Sequence, residues 1–489
     1  MKNLIMGMMM LAASPLVAKV VLLESAASPT VVFRIQFAAG SIHDGQGMEG
    51  MAQMLGEMIV SGGTKDLSYQ QVQELLYPMA GEMDVIVDKE TTTFIGEVHR
   101  DHLAKFYKLF SGLILHPRFD PQDFARVKTN AVNAVEVNLK SADDEGLGKE
   151  GLQWALYPGH PYGHPVRGTF AGLKAVTLDA MKAFYAGHYL AYNVTLGLAG
   201  PLPKDFARHV EKDFTKALPK TPYVPLPLPE PKAPAGVDVT LIQKEAMASA
   251  VSIGFPVAVN RSSPDFIPLL VALSYLGEHR TFNGLLMNRM RGERGLNYGD
   301  YAYAEHFRQD GGSTFILPNI PRRQQYFSIW IRPVAHENAL FSTRMALKEV
   351  KTLIEQGLSK EEFEKTRDFL SGYSKLWVQT LSRRLGFLMD SQWYGGKDYI
   401  QDLDKRLKTL TVEEVNTAVK KYLTWDHVAV VMVTPEADKM KRILELGLPT
   451  PITYQAEGTA CEVLQEDKAI ESFALPNLHV AIVPVENLF

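Results

Sequence analysis

Leu173-Lys174-Ala175-Val176-Thr177 and, 234 residues later, Leu407-Lys408-Thr409-Leu410-Thr411 open two stretches of this 489-residue chain that read alike. After the first come an amphipathic helix through Met181, Phe184 and Tyr185, then Tyr189, Asn193 and an apolar run from Val194 to Ala199 that stops at Gly200-Pro201. After the second come a helix through Val415, Ala418 and Val419, then Tyr422, Asp426 and an apolar run from Val428 to Val433 that stops at Thr434-Pro435. Thr177 and Thr411 suit the N-cap, where a hydroxyl accepts from a free backbone N–H, and Asp179 and Glu413 suit the positive end of each helix. So many matched positions, with a slip of one residue at the tyrosines, identify an internal repeat.

Seven prolines lie between Pro219 and Pro234. Each fixes φ and lacks an N–H, so the segment is predicted to be an extended spacer. The expected division is 1–18 as a signal peptide, 19–218 as a first domain, 219–236 as a Pro-rich linker and 237–489 as a second domain. Each half opens on strand-like residues (Val31 to Ala38, Val251 to Phe255), runs into helices and returns to strand. The expected class is α+β: two homologous domains, each a mixed β-sheet with helices packed on one face.

The composition narrows the function. Apolar residues at 46% and charged residues at 22% are those of a folded protein. Lys plus Arg is 51 against 55 Asp plus Glu, with no basic run, which argues against nucleic acid as a partner. Cys461 is the single cysteine, so neither an intrachain disulfide nor a Cys-based metal cluster can form. Lys2, the apolar stretch Leu4 to Ala13 and Ala18 have the order of a secretory signal peptide, with Lys19 as the expected mature N-terminus and a periplasmic or secreted location. The alternative is a first strand or a buried helix. The apolar stretch is too short to span a bilayer, so no stable membrane anchor is expected.

Met51, Met54, Leu55, Met58 and Ile59 mark one apolar stripe of a helix, and Gln53 and Glu57, four apart, share another face. With the strand-like Val31 to Ala38 and the turn Gly40-Ser41, this segment resembles the pitrilysin/insulinase family of zinc metallopeptidases. The resemblance continues through His160-Pro161-Tyr162-Gly163, Tyr189 and Asn193 into the second half. It implies a helix that in active members carries His-x-x-Glu-His. Here Gln53 and Glu57 stand at the imidazole positions and Gly56 at the general base. The third family ligand, a Glu on a later helix, falls near Val135 in the segment after Asn130-Ala131-Val132-Asn133-Ala134. Glu136 is either a relic ligand or a surface acid. An amide and isolated carboxylates hold zinc poorly, so no metal is expected in this chain. His160 and His164 are separated by Pro and Gly in a loop, where spacing by four does not align side chains.

In the second half, Phe282 to Tyr298 reads as a helix ending near Arg291, a Gly-containing turn and a strand starting at Tyr298. Arg291 and Tyr298 match the family's Arg/Tyr pair. The resemblance implies that Arg grips the substrate backbone and Tyr stabilises the tetrahedral intermediate, roles that suit a rigid fork of donors and a phenol O–H. Spacing alone favours a helix-terminal cation and an ordinary strand aromatic, and the resemblance reverses that. The expected function is therefore the non-catalytic subunit of a heterodimeric zinc peptidase, supplying Arg291 and Tyr298 to a homologous active partner that carries the zinc, with peptide as substrate. The alternative is a degenerate peptidase serving only as a structural or peptide-binding scaffold.

Overall fold

The computed structural model describes residues 18–278, 284–309, 313–455 and 458–489. Most of the expected signal peptide and Phe282-Asn283 lie outside the described residues. The first half contributes β1 (Lys19–Glu24), β2 (Thr30–Phe37), α1 (Met51–Ser61), β3 (Glu82–Val87), β4 (Thr92–His99), α2 (Pro121–Asn133), α3 (Asp144–Leu156), α4 (Leu178–His188) and β5 (Val194–Gly200). The second contributes β6 (Val237–Gln243), β7 (Ser249–Val257), α5 (Phe266–Gly277), β8 (Asp300–Tyr303), β9 (Gln325–Val334), α6 (Leu381–Trp393), α7 (Val412–Tyr422), β10 (Val428–Thr434) and β11 (His479–Pro484). Further helices fill the intervals.

The two sheets repeat one topology. The first runs β1-β5-β2-β4-β3 and the second β11-β6-β10-β7-β9-β8, so the second is the first with β11 added at one edge. β5 lies parallel to β1 and antiparallel to β2, and β10 lies parallel to β6 and antiparallel to β7. The repeated threonines cap as expected: Thr177 Oγ1 accepts from Ala180 N–H at 3.1 Å and Thr411 Oγ1 from Glu414 N–H at 3.3 Å.

Side chains alternate across each strand, and both faces are buried. On β2, Val31, Phe33, Ile35 and Phe37 enter the core shared with α1 and α4, whereas Val32 turns the other way onto Leu385 and Met389 of α6. On β10, Val428, Val430 and Met432 enter the second half's own core, whereas Ala429, Val431 and Val433 meet Leu147, Leu152 and Leu156 of α3. Each sheet thus carries its own helices on one face and a single helix lent by the other half on the opposite face. Gly151 lets α3 lie close: a Cβ there would stand 3.0 Å from Ile242 and Val431 methyls.

Residues 219–236 form no regular secondary structure. They are nonetheless anchored, since Arg323 donates to Leu226 O at 2.8 Å and Gln324 to Pro229 O at 2.8 Å. One expectation is corrected: the second-half strand begins at Asp300, not Tyr298. Asn297 Oδ1 accepts from Gly299 N–H and its Nδ2 donates to Asp300 Oδ1, so residues 297–299 are held in a side-chain-closed turn.

Candidate functional site

A cavity of about 630 Å³ lies between the halves. Gln53 and Glu57 reach it from α1, Asn130, Ala131 and Ala134 from α2 and its continuation, Lys149 from α3, and Arg308, Tyr326 and Trp330 from the second half. The shared face of Gln53 and Glu57 therefore points where the sequence places it. The two side chains bond each other, Gln53 Nε2 donating to Glu57 Oε1 at 3.0 Å. Burial, with Asp84 nearby, raises the Glu57 carboxyl above its ordinary range.

Gly56 is packed rather than vacant. A Cβ there would stand 3.0 Å from a Val87 methyl and 3.1 Å from a Val85 methyl, so β3 occupies the space a carboxylate side chain would need. On the later helix a neighbour of Val135 meets the cavity. Val135 is fully buried in the apolar core of the first half, and Ala134 is the residue that lines the cavity. Glu136 is half-buried and pairs with Lys140 at 2.9 Å.

Arg291 and Tyr298 are brought together, but neither lines this cavity. The Arg291 guanidinium lies 5.7 Å from the Tyr298 ring centre, and Tyr298 is 78% exposed. Tyr301 and Tyr303 are buried, so among the three tyrosines Tyr298 alone is presented to solvent. His160 and His164 do not converge on a common point. His160 accepts from Tyr162 N–H and donates to Pro229 O, which ties the linker down, and His164 lies against Pro165 O.

The sequence reading missed Asp88-Lys89-Glu90, which looks like an exposed charged turn between β3 and β4. All three residues are buried. Asp88 takes two bonds from Arg322, at 2.6 and 2.7 Å, and Arg322 also donates to Gln153 at 2.9 Å. Burial opposes the Asp88 charge, but the guanidinium outweighs it and brings the carboxyl down to about 2. Lys89 donates to His164 O, and Glu90 accepts from Arg323 and from the Tyr162 hydroxyl. Nearby, Lys149 stands 3.7 Å from the Trp330 ring centre and 2.6 Å from Glu145, which also pairs with Arg332. Among these, Asp88–Arg322, Glu90–Arg323, Glu145–Arg332 and Lys149–Trp330 join first-half elements to second-half ones.

Residues 19–169 match the model of the insulinase family, peptidase family M16, and residues 175–370 match that of the peptidase M16 inactive domain. The chain belongs to the peptidase M16 family. Similar curated proteins include the "Uncharacterized zinc protease YmxG" of Bacillus subtilis (strain 168), 20% identical over 86% of this chain and 97% of that one. Another is the "Non-peptidase homolog YmxG" of Helicobacter pylori, 22% identical over 80% of this chain and 86% of that one. Among solved structures, a peptidase M16 inactive domain from Pseudomonas fluorescens superposes with a TM-score of 0.75 at 24% identity, covering 86% of this chain and 95% of that one. A protease from Helicobacter pylori gives 0.72 at 16% identity, covering 86% and 98%.

The cavity residues do not fit the family's zinc. The Gln53 amide is spent on Glu57, Ala134 offers a methyl group, and among the described residues no group of three or more His, Cys, Asp or Glu is placed to hold a metal ion. The chain is a degenerate peptidase of its family.

Proposed function

We propose that this chain is the non-catalytic subunit of a heterodimeric zinc peptidase, and that its second half supplies Arg291 and Tyr298 to the zinc site of an active homologous subunit. One contrast carries the reading. The cavity-facing positions matched to the family's imidazoles hold Gln53 and Glu57, with Gly56 at the general base packed against β3, whereas Tyr298, which matches the family's Arg/Tyr pair, stands out in solvent beside Arg291. A phenol O–H there can donate to an oxyanion on a facing molecule, and a guanidinium can hold a peptide carbonyl. The contact between Arg291 and Tyr298 favours a second reading, in which they are a local structural pair and the chain is a scaffold.

The test mixes the chain with an active homologous subunit and follows peptide hydrolysis. Tyr298→Phe is expected to lower kcat by about 10²–10³ with little change in KM, the usual cost of losing one oxyanion donor. Arg291→Ala is expected to raise KM as well. Wild-type rates for both variants, with complex formation intact by size-exclusion chromatography, favour the scaffold. We further propose export to the periplasm or exterior after cleavage at Ala18, and mass spectrometry of the native protein is expected to find Lys19 at the N-terminus.

A further inference from the structure

A second cavity, of about 350 Å³, shares none of its lining residues with the first. Three parts of the chain build it. The first half brings Gln36 from β2 and Tyr192 from just before β5, the linker brings Tyr223, and the second half brings Met389 and Trp393 from the end of α6. Three aromatic rings and a thioether thus line one small volume, at the low end of the range for small-molecule sites. Among the described residues Glu90 is the only carboxylate in the lining, and its charge is already met. It is 3% exposed, accepts from the guanidinium and the main-chain N–H of Arg323, and takes the Tyr162 hydroxyl as well. Arg323 also gives Nη2 to Leu226 O at 2.8 Å, but a guanidinium carries five N–H groups, so donors remain on it. Lys19, exposed, adds a second cation to the lining. Gln36 is 3% exposed and donates from Nε2 to Thr93 Oγ1 at 3.1 Å, and its amide has a second N–H and a carbonyl oxygen to offer.

We propose that this cavity is a binding site for a small aromatic carboxylate, whose ring packs among Tyr192, Tyr223 and Trp393 and whose charge meets Arg323 and Lys19. Aromatic rings gain from offset or edge-to-face contact with one another, and a thioether is a favourable neighbour for a ring edge. An aliphatic acid forgoes that gain. An aromatic amine meets two cations and a carboxylate that Arg323 has already neutralised, whereas an acid finds donors in a geometry that suits its two oxygens. Because first half, linker and second half each supply part of the lining, a bound molecule ties all three together. It also lies close to the first cavity: Asp88 and Arg322 line that one, and Glu90 and the adjacent Arg323 line this one. Binding there requires neither a peptide nor a partner subunit.

The test titrates 2-naphthylacetate into the full chain and follows it by saturation-transfer NMR and calorimetry. Wild type is expected to bind with a Kd on the order of 0.1 mM, an ordinary efficiency for a ligand of this size. The neutral 2-naphthylacetamide is expected to bind about tenfold more weakly, since it loses the charge-assisted bonds. Tyr223→Ser, in the irregular linker, is expected to weaken binding of the acid about tenfold by removing one ring. Lys19→Gln is expected to weaken it about threefold, the usual size of an exposed charge contribution. Arg308→Met removes a cation from the first cavity and is expected to change nothing. The proposal is overturned if wild type shows no saturable binding, if the amide binds as tightly as the acid, or if Arg308→Met loses binding as the lining variants do. It is equally overturned if Tyr223→Ser and Lys19→Gln both bind as wild type does. Should circular dichroism show Tyr223→Ser unfolded, Lys19→Gln and the amide decide the matter, since neither disturbs the fold. Hydrolysis plays no part in these readouts, so the proposed subunit role stands or falls separately.

Discussion

Gln53 Nε2 donates to Glu57 Oε1 across one turn of α1, at 3.0 Å. The two side chains that the sequence resemblance sets at the family's imidazole positions thus bond each other. A bond of this type is modest in strength, but it leaves neither side chain organised for a cation, and Ala134, which lines the same cavity, offers only a methyl group.

Metal content follows from that geometry. The dialysed wild-type chain is expected to hold far less than one zinc per molecule by atomic emission. Gln53→His, Glu57→His and Ala134→Glu together are expected to bring it close to one, because all three positions face the same cavity. Moving the carboxylate to Val135→Glu instead is expected to yield little metal and a protein several kcal/mol less stable, since it buries a charge in the apolar core.

The pair Asp88–Arg322 joins the halves and is 1% exposed on both sides. Arg322→Met leaves Asp88 buried without its cation, and the expected cost is about 3–5 kcal/mol in chemical denaturation. The same pair sets an acid limit. The Asp88 carboxyl sits at about 2 in the fold, below its unfolded value, so its contribution is present above about pH 4 and is lost as pH falls toward 2.

Asp300 behaves in the opposite sense. Burial, opposed only by the bond from Asn297, raises its carboxyl to about 8. The folded state therefore keeps a proton that the unfolded chain gives up above about pH 4, and stability is expected to fall as pH rises from about 4 to 8. Thermal melts at pH 6 and pH 9 are expected to show a larger drop for wild type than for Asp300→Asn, which cannot ionise.

The lent helix α3 offers a packing test. Gly151→Val pushes new methyl groups toward Ile242 and Val431, and the expected loss is about 1–3 kcal/mol, read as a lower denaturation midpoint.

How far the sequence could be read depends on the range of the interactions involved. The caps Thr177 and Thr411 were legible because a hydroxyl bonds a backbone N–H three residues on. The face shared by Gln53 and Glu57 was legible for the same reason. Asp88, Lys89 and Glu90 were not, because their partners Arg322, His164 and Arg323 lie 234, 75 and 233 residues away. Which of Ala134 and Val135 meets the cavity has a local cause that periodicity hides: α2 passes at Ala134 into a π-helical stretch, Ala134–Ser141, where 3.6-residue spacing no longer holds. The strand start at Tyr298 failed because Asn297 and Asp300 close a turn with their side chains.

Because α3 crosses to the second sheet and α6 to the first, neither half is a finished object on its own. A protease cut within the linker would separate the covalent chain without separating the fold, and the two fragments would stay interlocked. Expressed singly, each would bare the sheet face its neighbour's helix normally covers while carrying an orphan helix with nothing to cover. The two halves can therefore diverge in sequence, as they have, but neither can be lost, shuffled or replaced without the other.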